Sequence, residues 1–201
     1  MIPHVARARR ALMRRDPRLA ALMTRVGACD LGASPPPDAF ASLVRVILSQ
    51  QLSSNAADTI FGRVESLAAR RGGLTAPIVA RLDAEALRAA GVSRQKTAAL
   101  YDLADQVASG RLDLDRLSAL PDDEVVARIT AVKGLGVWSA EMFLMFRLTR
   151  LDILPVGDLG IVKGIQVLHG LKRRPAASTM RRLAEPWRPY RSVACWYLWR
   201  I

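Results

Sequence analysis

Apolar residues recur at intervals of three and four along nearly the whole chain, and strict two-residue alternation is almost absent. A helix with 3.6 residues per turn converts that spacing into one apolar stripe per segment, whereas a half-buried strand needs alternation. Phe40, Leu43, Val44, Ile47 and Leu48 make one such stripe. Ala57, Ile60, Phe61, Val64 and Leu67 make a second, and Thr97, Leu100, Tyr101, Ala104 and Val107 a third. The expected fold class is all-α, with about ten short helices and no sheet, which excludes Rossmann and TIM-barrel scaffolds.

Capping residues divide the pattern. Asp16-Pro17 reads as an N-cap followed by proline at the first helical position, so two helices should meet there within Val5 to Val26. Ser53 or Ser54, Asp83, Ser93 and Asp158 stand before further apolar runs as N-caps, the run through Phe40 starts from Asp38, and Gly72-Gly73 and Gly110 read as stops. Thr75 to Ala80 reads as a short helical turn, and a helix beginning at Leu120-Pro121 should end between Ile129 and Val132. An apolar helix is expected from Ser139 to Leu148, then an extended or turn-like segment from Ile153 to Gly157, and a helix from Leu159 to Leu168. A last pair should run from Pro175 to Ala184 and from Pro189 to Ile201. Ala33-Ser34-Pro35-Pro36-Pro37-Asp38 excludes helix and reads as a stiff connection.

Thirty Lys and Arg against eighteen Asp and Glu leave a net charge of +12, and most of the excess is arginine. Arginine suits bidentate phosphate contacts, so the balance points to a polyanionic partner. Cys29 and Cys195 are the only cysteines, too few for a disulfide scaffold or an iron-sulfur centre. No run reaches the eighteen apolar residues of a membrane span, and the basic N-terminus lacks the apolar core of a secretion signal. A cytoplasmic protein is expected, at the nucleoid if its source is bacterial, working as a monomer with no membrane partner. His4 and His169 are too few to suggest a zinc site.

Two segments carry chemistry. Lys133-Gly134-Leu135-Gly136-Val137-Trp138 is a glycine turn between two helices. Such a turn exposes amide N–H groups at a helix start, where they suit an anion such as a DNA phosphate, and Lys133 adds positive charge. The same residues also make a plain helix–helix turn, and they lack the ending of a nucleotide P-loop. Twenty residues after Trp138 stands Asp158, first of all an N-cap and, in addition, a carboxylate whose negative charge the helix amides favour. A carboxylate in that position can steady positive charge on a sugar C1′ while the bond to a base breaks, and can orient the attacking water.

Lys133 to Glu141, Asp152 to Gly160 and Trp187 to Ala194, preceded by Phe40 to Asn55 with its Leu48-Ser49-Gln50-Gln51-Leu52-Ser53, resemble successive blocks of the helix-hairpin-helix DNA glycosylases. Within that superfamily they look most like the 3-methyladenine DNA glycosylase II branch, in a compact form without the N-terminal β domain some members carry. The resemblance spans about residues 38 to 201 and implies one HhH-GPD domain over residues 1–201, with two helical lobes flanking a cleft and the hairpin at 133–138. It implies Asp158 as the catalytic carboxylate, and Lys133, Gly134 and Gly136 as the phosphate grip. Gln51 would be the side chain that wedges into the gap left by an extruded nucleotide. A cation held by hairpin carbonyls, monovalent or divalent, is also implied, with no side-chain metal site, no iron-sulfur cluster and no other cofactor.

The resemblance also sets Trp138 where strand-cutting members carry a lysine nucleophile. An indole forms no Schiff base but stacks on an extruded base, with added attraction if that base is cationic. The implied activity is therefore monofunctional: release of alkylated purines such as 3-methyladenine from double-stranded DNA, leaving an abasic site. Trp199 matches a further pocket aromatic, and Met142 and Phe143, one turn after Trp138, are candidates to line the same pocket. Trp187 and Trp196 read as core, and Arg188 and Arg191 as structural supports or phosphate ligands. Two other readings stay open at this point, a glycosylase for uracil, hypoxanthine or oxidised guanine, and a non-catalytic DNA-binding protein that uses only the hairpin.

Overall fold

The computed structural model describes residues 3–33 and 38–201. Most of the proline-rich stretch 33–38 lies outside the described residues. The chain forms two compact units, one from residues 1–34 and 144–201, the other from residues 35–143.

In the first unit, α1 (Pro3–Arg15) and α2 (Pro17–Val26) are joined at Asp16, whose carboxylate accepts from the amides of Arg18 and Leu19. Val5, Ala8 and Leu12 are the buried stripe of α1, at the spacing of one helix face. Later come α10 (Leu159–Leu168), α11 (Ala177–Leu183), a 3-10 turn at Glu185–Trp187 and α12 (Arg191–Leu198). Every residue from Ser192 to Leu198 is buried, so α12 is the hub, and it packs on α1, α2 and α10. Trp187 is fully buried and Trp196 nearly so, both packing residues as read from the sequence. The two free cysteines are also buried, and burial pushes the Cys29 thiol up to about 11.

The second unit holds α3 (Ala39–Ser49), α4 (Ser54–Ala69), α5 (Ala76–Val79), α6 (Ala84–Ala89), α7 (Arg94–Ala108) and α8 (Asp122–Thr130). Asp38, Ser53, Asp83 and Ser93 cap their helices through the side chain. Thr75 stands at the start of α5 without such a bond. α7 is the spine, packed on α3, α5 and α6. A 3-10 turn at Asp115–Ala119 stands where the sequence pattern shows only a connection.

α9 (Val137–Phe146) belongs to both units, which divide at Phe143 and Leu144. It starts and stops two residues earlier than the sequence spacing suggests. Its end is set locally: Thr149 takes a φ of 53°, and the Arg150 amide donates back to Leu144 O at 2.9 Å, a left-handed cap that propensity does not reveal.

His169, at the end of α10, gives the fold a pH dependence. Its ring stacks on Trp187 with centroids 6.1 Å apart, its Nδ1 lies 3.2 Å from Arg18 Nη1, and its Nε2 is buried without a partner. Burial lowers its pKa below 6.5, Asp16 opposes that and Arg18 adds to it. The neutral ring is therefore the one the fold prefers. Its contribution is fully present above pH 6.5 and is lost as pH falls through the lowered value. The melting temperature should drop over that window, and His169→Phe should flatten this part of the profile; an equal drop in the variant would assign it to other groups.

Candidate active site

The residues singled out from the sequence divide between the two units. Asp158 and Trp199 belong to the first; Gln51, Lys133, Gly134, Gly136, Trp138, Met142 and Phe143 belong to the second.

In the first unit, the segment leading to Asp158 is anchored by the C-terminal block. Ser192 is fully buried, donates to Arg150 O at 2.6 Å, and its hydroxyl accepts from the Ile153 amide at 2.9 Å. The Arg191 guanidinium clasps Asp152, with Nε to Oδ1 at 2.7 Å and Nη2 to Oδ2 at 3.1 Å, and Arg188 adds a contact of 3.0 Å. Both arginines thus support the fold through Asp152, Arg191 from a mostly buried position and Arg188 from a half-exposed one. The segment 153–157, which turns at Val156-Gly157 as the Asp158 amide donates to Pro155 O at 3.0 Å, then delivers Asp158 to the start of α10.

Asp158 is the N-cap of α10, its Oδ1 accepting from the Ile161 amide at 2.9 Å. The same oxygen accepts from Trp199 Nε1, also at 2.9 Å. Two donors on one oxygen, one from α10 and one from the end of α12, define the rotation of the carboxylate plane. A hydrogen bond to a charged acceptor contributes about 1.5–3 kcal/mol, so this is a firm restraint. Trp199 also stacks on Phe146, centroids 5.6 Å apart and planes at 28°.

The close approach requires glycine. A Cβ at Gly160 would lie 2.7 Å from Trp199 Cδ1 and 3.1 Å from Asp158 Oδ1. One turn on, a Cβ at Gly164 would lie 2.8 Å from both Leu198 Cβ and Leu198 O. The two glycines share one face of α10 and make a notch that admits the end of α12. Sequence reasoning missed Gly160 and Gly164, which read as ordinary positions of an apolar helix.

In the second unit, the hairpin is bound to α7. Gly134 has a φ of 81°, and a Cβ there would meet Ala99 Cβ at 2.9 Å, so both conformation and packing demand glycine. The Lys133 amide donates to Asp102 Oδ2 at 2.7 Å, and Gln106 Nε2 reaches Ala131 O at 3.3 Å. Gly136 differs: a Cβ there would meet nothing within 4 Å. Ala140 donates to Gly136 O, so the first turn of α9 opens at the end of the hairpin.

Gln51 sits in the turn after α3 with a φ of 58°, unusual for a side-chain-bearing residue, and it is exposed. The turn is held on both sides of that strain. Lys96, from α7, donates to Leu48 O at 2.7 Å and to Gln50 O at 2.9 Å, and burial lowers its pKa. Gln50 Nε2 donates to Gly134 O at 3.0 Å and to Ser139 Oγ at 3.2 Å. Lys96 and Gln50 thereby tie the Gln51 turn to the hairpin, roles that no local sequence signal carries. Trp138 is half-buried in the first turn of α9, while Met142 is 6% and Phe143 1% exposed. Phe143 is therefore closed in by its own packing.

The HhH-GPD model, described as a superfamily of base excision DNA repair proteins, matches residues 44–189. The chain belongs to this superfamily. It is 35% identical to DNA-3-methyladenine glycosylase 1 of Schizosaccharomyces pombe over 80% of its own length and 71% of that protein's. Its fold matches a structure of a Schizosaccharomyces pombe 3-methyladenine DNA glycosylase in complex with abasic DNA, with a TM-score of 0.89, 32% identity, and 96% and 95% of the two chains covered. A DNA-3-methyladenine glycosidase from Bacillus halodurans matches with a TM-score of 0.76 and 39% identity over 94% of this chain and 86% of that one. The all-helical HhH-GPD fold expected from the sequence is thus the fold observed. Among the described residues, no cluster of three or more His, Cys, Asp or Glu is placed to hold a metal ion, and no helix is long and apolar enough to cross a membrane.

Proposed function

We propose that this protein is a monofunctional DNA glycosylase that hydrolyses the N-glycosidic bond of alkylated purines such as 3-methyladenine in duplex DNA, leaving an abasic site. The observation that carries the reading is the Asp158 carboxylate, fixed by the Ile161 amide and the Trp199 indole on one oxygen. The relatives' names and the abasic DNA bound by one of them supply the substrate class. That the match to that complex covers nearly all of this chain supports reading residues 1–201 as one glycosylase domain.

In this mechanism the second unit binds and extrudes the nucleotide. The amides ending the hairpin receive a phosphate, with Lys133 beside them, and Gly136 keeps the approach open because it carries no side chain. Gln51 fills the gap in the stack. Trp138 stacks on the extruded base, and the positive charge of an alkylated purine strengthens the stack. Met142 and Phe143, one turn after Trp138 and both buried, line the base pocket only from within the packed interior.

Asp158 acts on the sugar. The bond from C1′ to the base breaks with its electron pair leaving on the base, which neutralises the base's positive charge. The carboxylate stabilises the cation left on the sugar. Water adds to C1′ and its proton passes to the carboxylate. Because the lesion is already a good leaving group, no protonation of the base is needed. A cation at the hairpin would be held by backbone carbonyls alone and would add positive charge beside the bound phosphate; Gly134 O and Val132 O, which accept from Gln50 and from the Leu135 amide, each keep a second lone pair.

The test is incubation of purified protein with duplexes carrying 3-methyladenine, 7-methylguanine, hypoxanthine, uracil or 8-oxoguanine, followed by alkali cleavage of abasic sites. Release from the alkylated duplexes, with no strand cut before alkali and no complex trapped by borohydride, is the expected result. Release only from another lesion, or from none, overturns the substrate class, and a trapped complex overturns monofunctional chemistry.

A further inference from the structure

The excess positive charge is confined to one unit. Residues 1–34 and 144–201 hold eighteen Lys and Arg against five Asp and Glu, net +13, whereas residues 35–143, which include the hairpin, hold twelve against thirteen, net −1. The long-range attraction of this protein for a polyanion therefore does not come from the unit that carries the hairpin.

Within the first unit the charge has a focus. Lys172, Arg173 and Arg174 follow α10, and Arg181 and Arg182 lie in the last turn of α11. All five are exposed, and none makes a hydrogen bond or ion pair among the described residues. Arg18 joins them through its contact with His169 at the end of α10. The acidic groups of this unit are engaged elsewhere: Asp16 with Trp187, Asp30 with Arg200, Asp152 with Arg188 and Arg191, Asp158 with Trp199, Glu185 with Arg188. Nor does the helix end absorb the cations, since the last carbonyls of α10 already accept from the amides of His169, Gly170 and Leu171. Five unpaired cations within eleven residues repel one another and are stable with an anionic partner present.

The patch is also remote from the chemistry. Asp158 opens α10 and the patch follows its other end, ten helical residues away, which is ~15 Å of helix. Lys172, Arg173 and Arg174 thus stand a helix length from the end of α10 that carries Asp158. We propose that they form a separate duplex-binding surface, gripping backbone phosphates away from the lesion and supplying most of the sequence-independent hold on DNA. The partner is DNA because a duplex offers many closely spaced phosphates to a cluster of exposed cations, four of them arginines suited to bidentate phosphate contacts. The inference rests on the reading of this protein as DNA-binding, and not on the role of Asp158.

The experiment measures binding of the whole protein to an undamaged 30-base-pair duplex across a salt series. Removing one cation that neutralises a phosphate should lower the slope of log K against log salt by about 0.9. Arg173→Ala, Arg174→Ala, Arg181→Ala and Arg182→Ala combined should lower it by about 3 to 4, while Lys133→Ala lowers it by about 1 at most. The same four positions changed to lysine should keep the wild-type slope, which separates an effect of charge from an effect on folding. Single-turnover base release at saturating protein should stay within about twofold of wild type in the alanine variant, as expected for phosphate-binding groups that position without reacting. An unchanged slope in the alanine variant, or an equal decrease in the lysine variant, overturns the proposal. Absence of base release in the wild type would overturn the glycosylase reading and leave the slopes intact.

Discussion

Asp158→Asn should lower base release from a 3-methyladenine duplex by about a thousandfold or more, in line with the loss of a charge-stabilising group that also takes the proton of water. The size of the effect comes from charge, since asparagine has nearly the same shape. Asparagine also caps a helix about as well as aspartate, so α10 keeps the bond from the Ile161 amide and the melting temperature should hardly move. Affinity for a duplex containing an uncleavable abasic analogue should be retained, because the groups proposed to hold phosphate lie elsewhere. The measurement is single-turnover release with excess protein, compared with the spontaneous loss of 3-methyladenine from the same duplex. A variant within about tenfold of wild type would remove Asp158 from the chemistry and return it to the role of a cap.

Much of the fold was legible because the caps are local. Asp16, Asp83, Ser93 and Asp158 each announce a helix through a side chain that bonds two or three residues ahead, and each stands where the sequence placed it, while Ser53 is the member of the Ser53–Ser54 pair that caps. The features that escaped depend on distant partners. The end of α9 needs Thr149 in a left-handed conformation, and the 3-10 turn at Asp115–Ala119 has no apolar stripe long enough to show a period. Lys96 acts on carbonyls 46 and 48 residues earlier. The +12 of the whole chain concealed its own partition, since a total carries no information about which residues fold together.

The same limit explains Trp199. The resemblance offered it as an aromatic of the base pocket, and the structure adds a bond to the carboxylate 41 residues earlier. Nothing between the two residues signals the contact, because it depends on α12 ending over the glycine notch of α10. A pocket aromatic needs only a ring face; a partner of Asp158 needs the indole N–H. Those two roles make different demands on a substitution, and the difference can be measured.

Trp199→Phe keeps an aromatic ring that can stack on Phe146 and removes the donor to Asp158 Oδ1. A hydrogen bond to a charged group contributes about 1.5–3 kcal/mol, so the first-order rate of base release should fall roughly 10- to 150-fold. If the indole served only as a pocket wall, phenylalanine would substitute with a change in substrate affinity and little change in that rate. Gly160→Ala approaches the same bond from the other side. Its methyl would stand 2.7 Å from Trp199 Cδ1, and the indole must withdraw from the carboxylate. Alanine otherwise favours helix over glycine by about 0.8–1 kcal/mol, so a variant that melts no lower than wild type but releases base slowly would localise the loss to the bond. The decisive measurement is the double variant. If both substitutions act by removing one hydrogen bond, Gly160→Ala in the Trp199→Phe background should cost little more, whereas independent effects would multiply. Multiplicative losses would show that the notch and the indole serve the site separately.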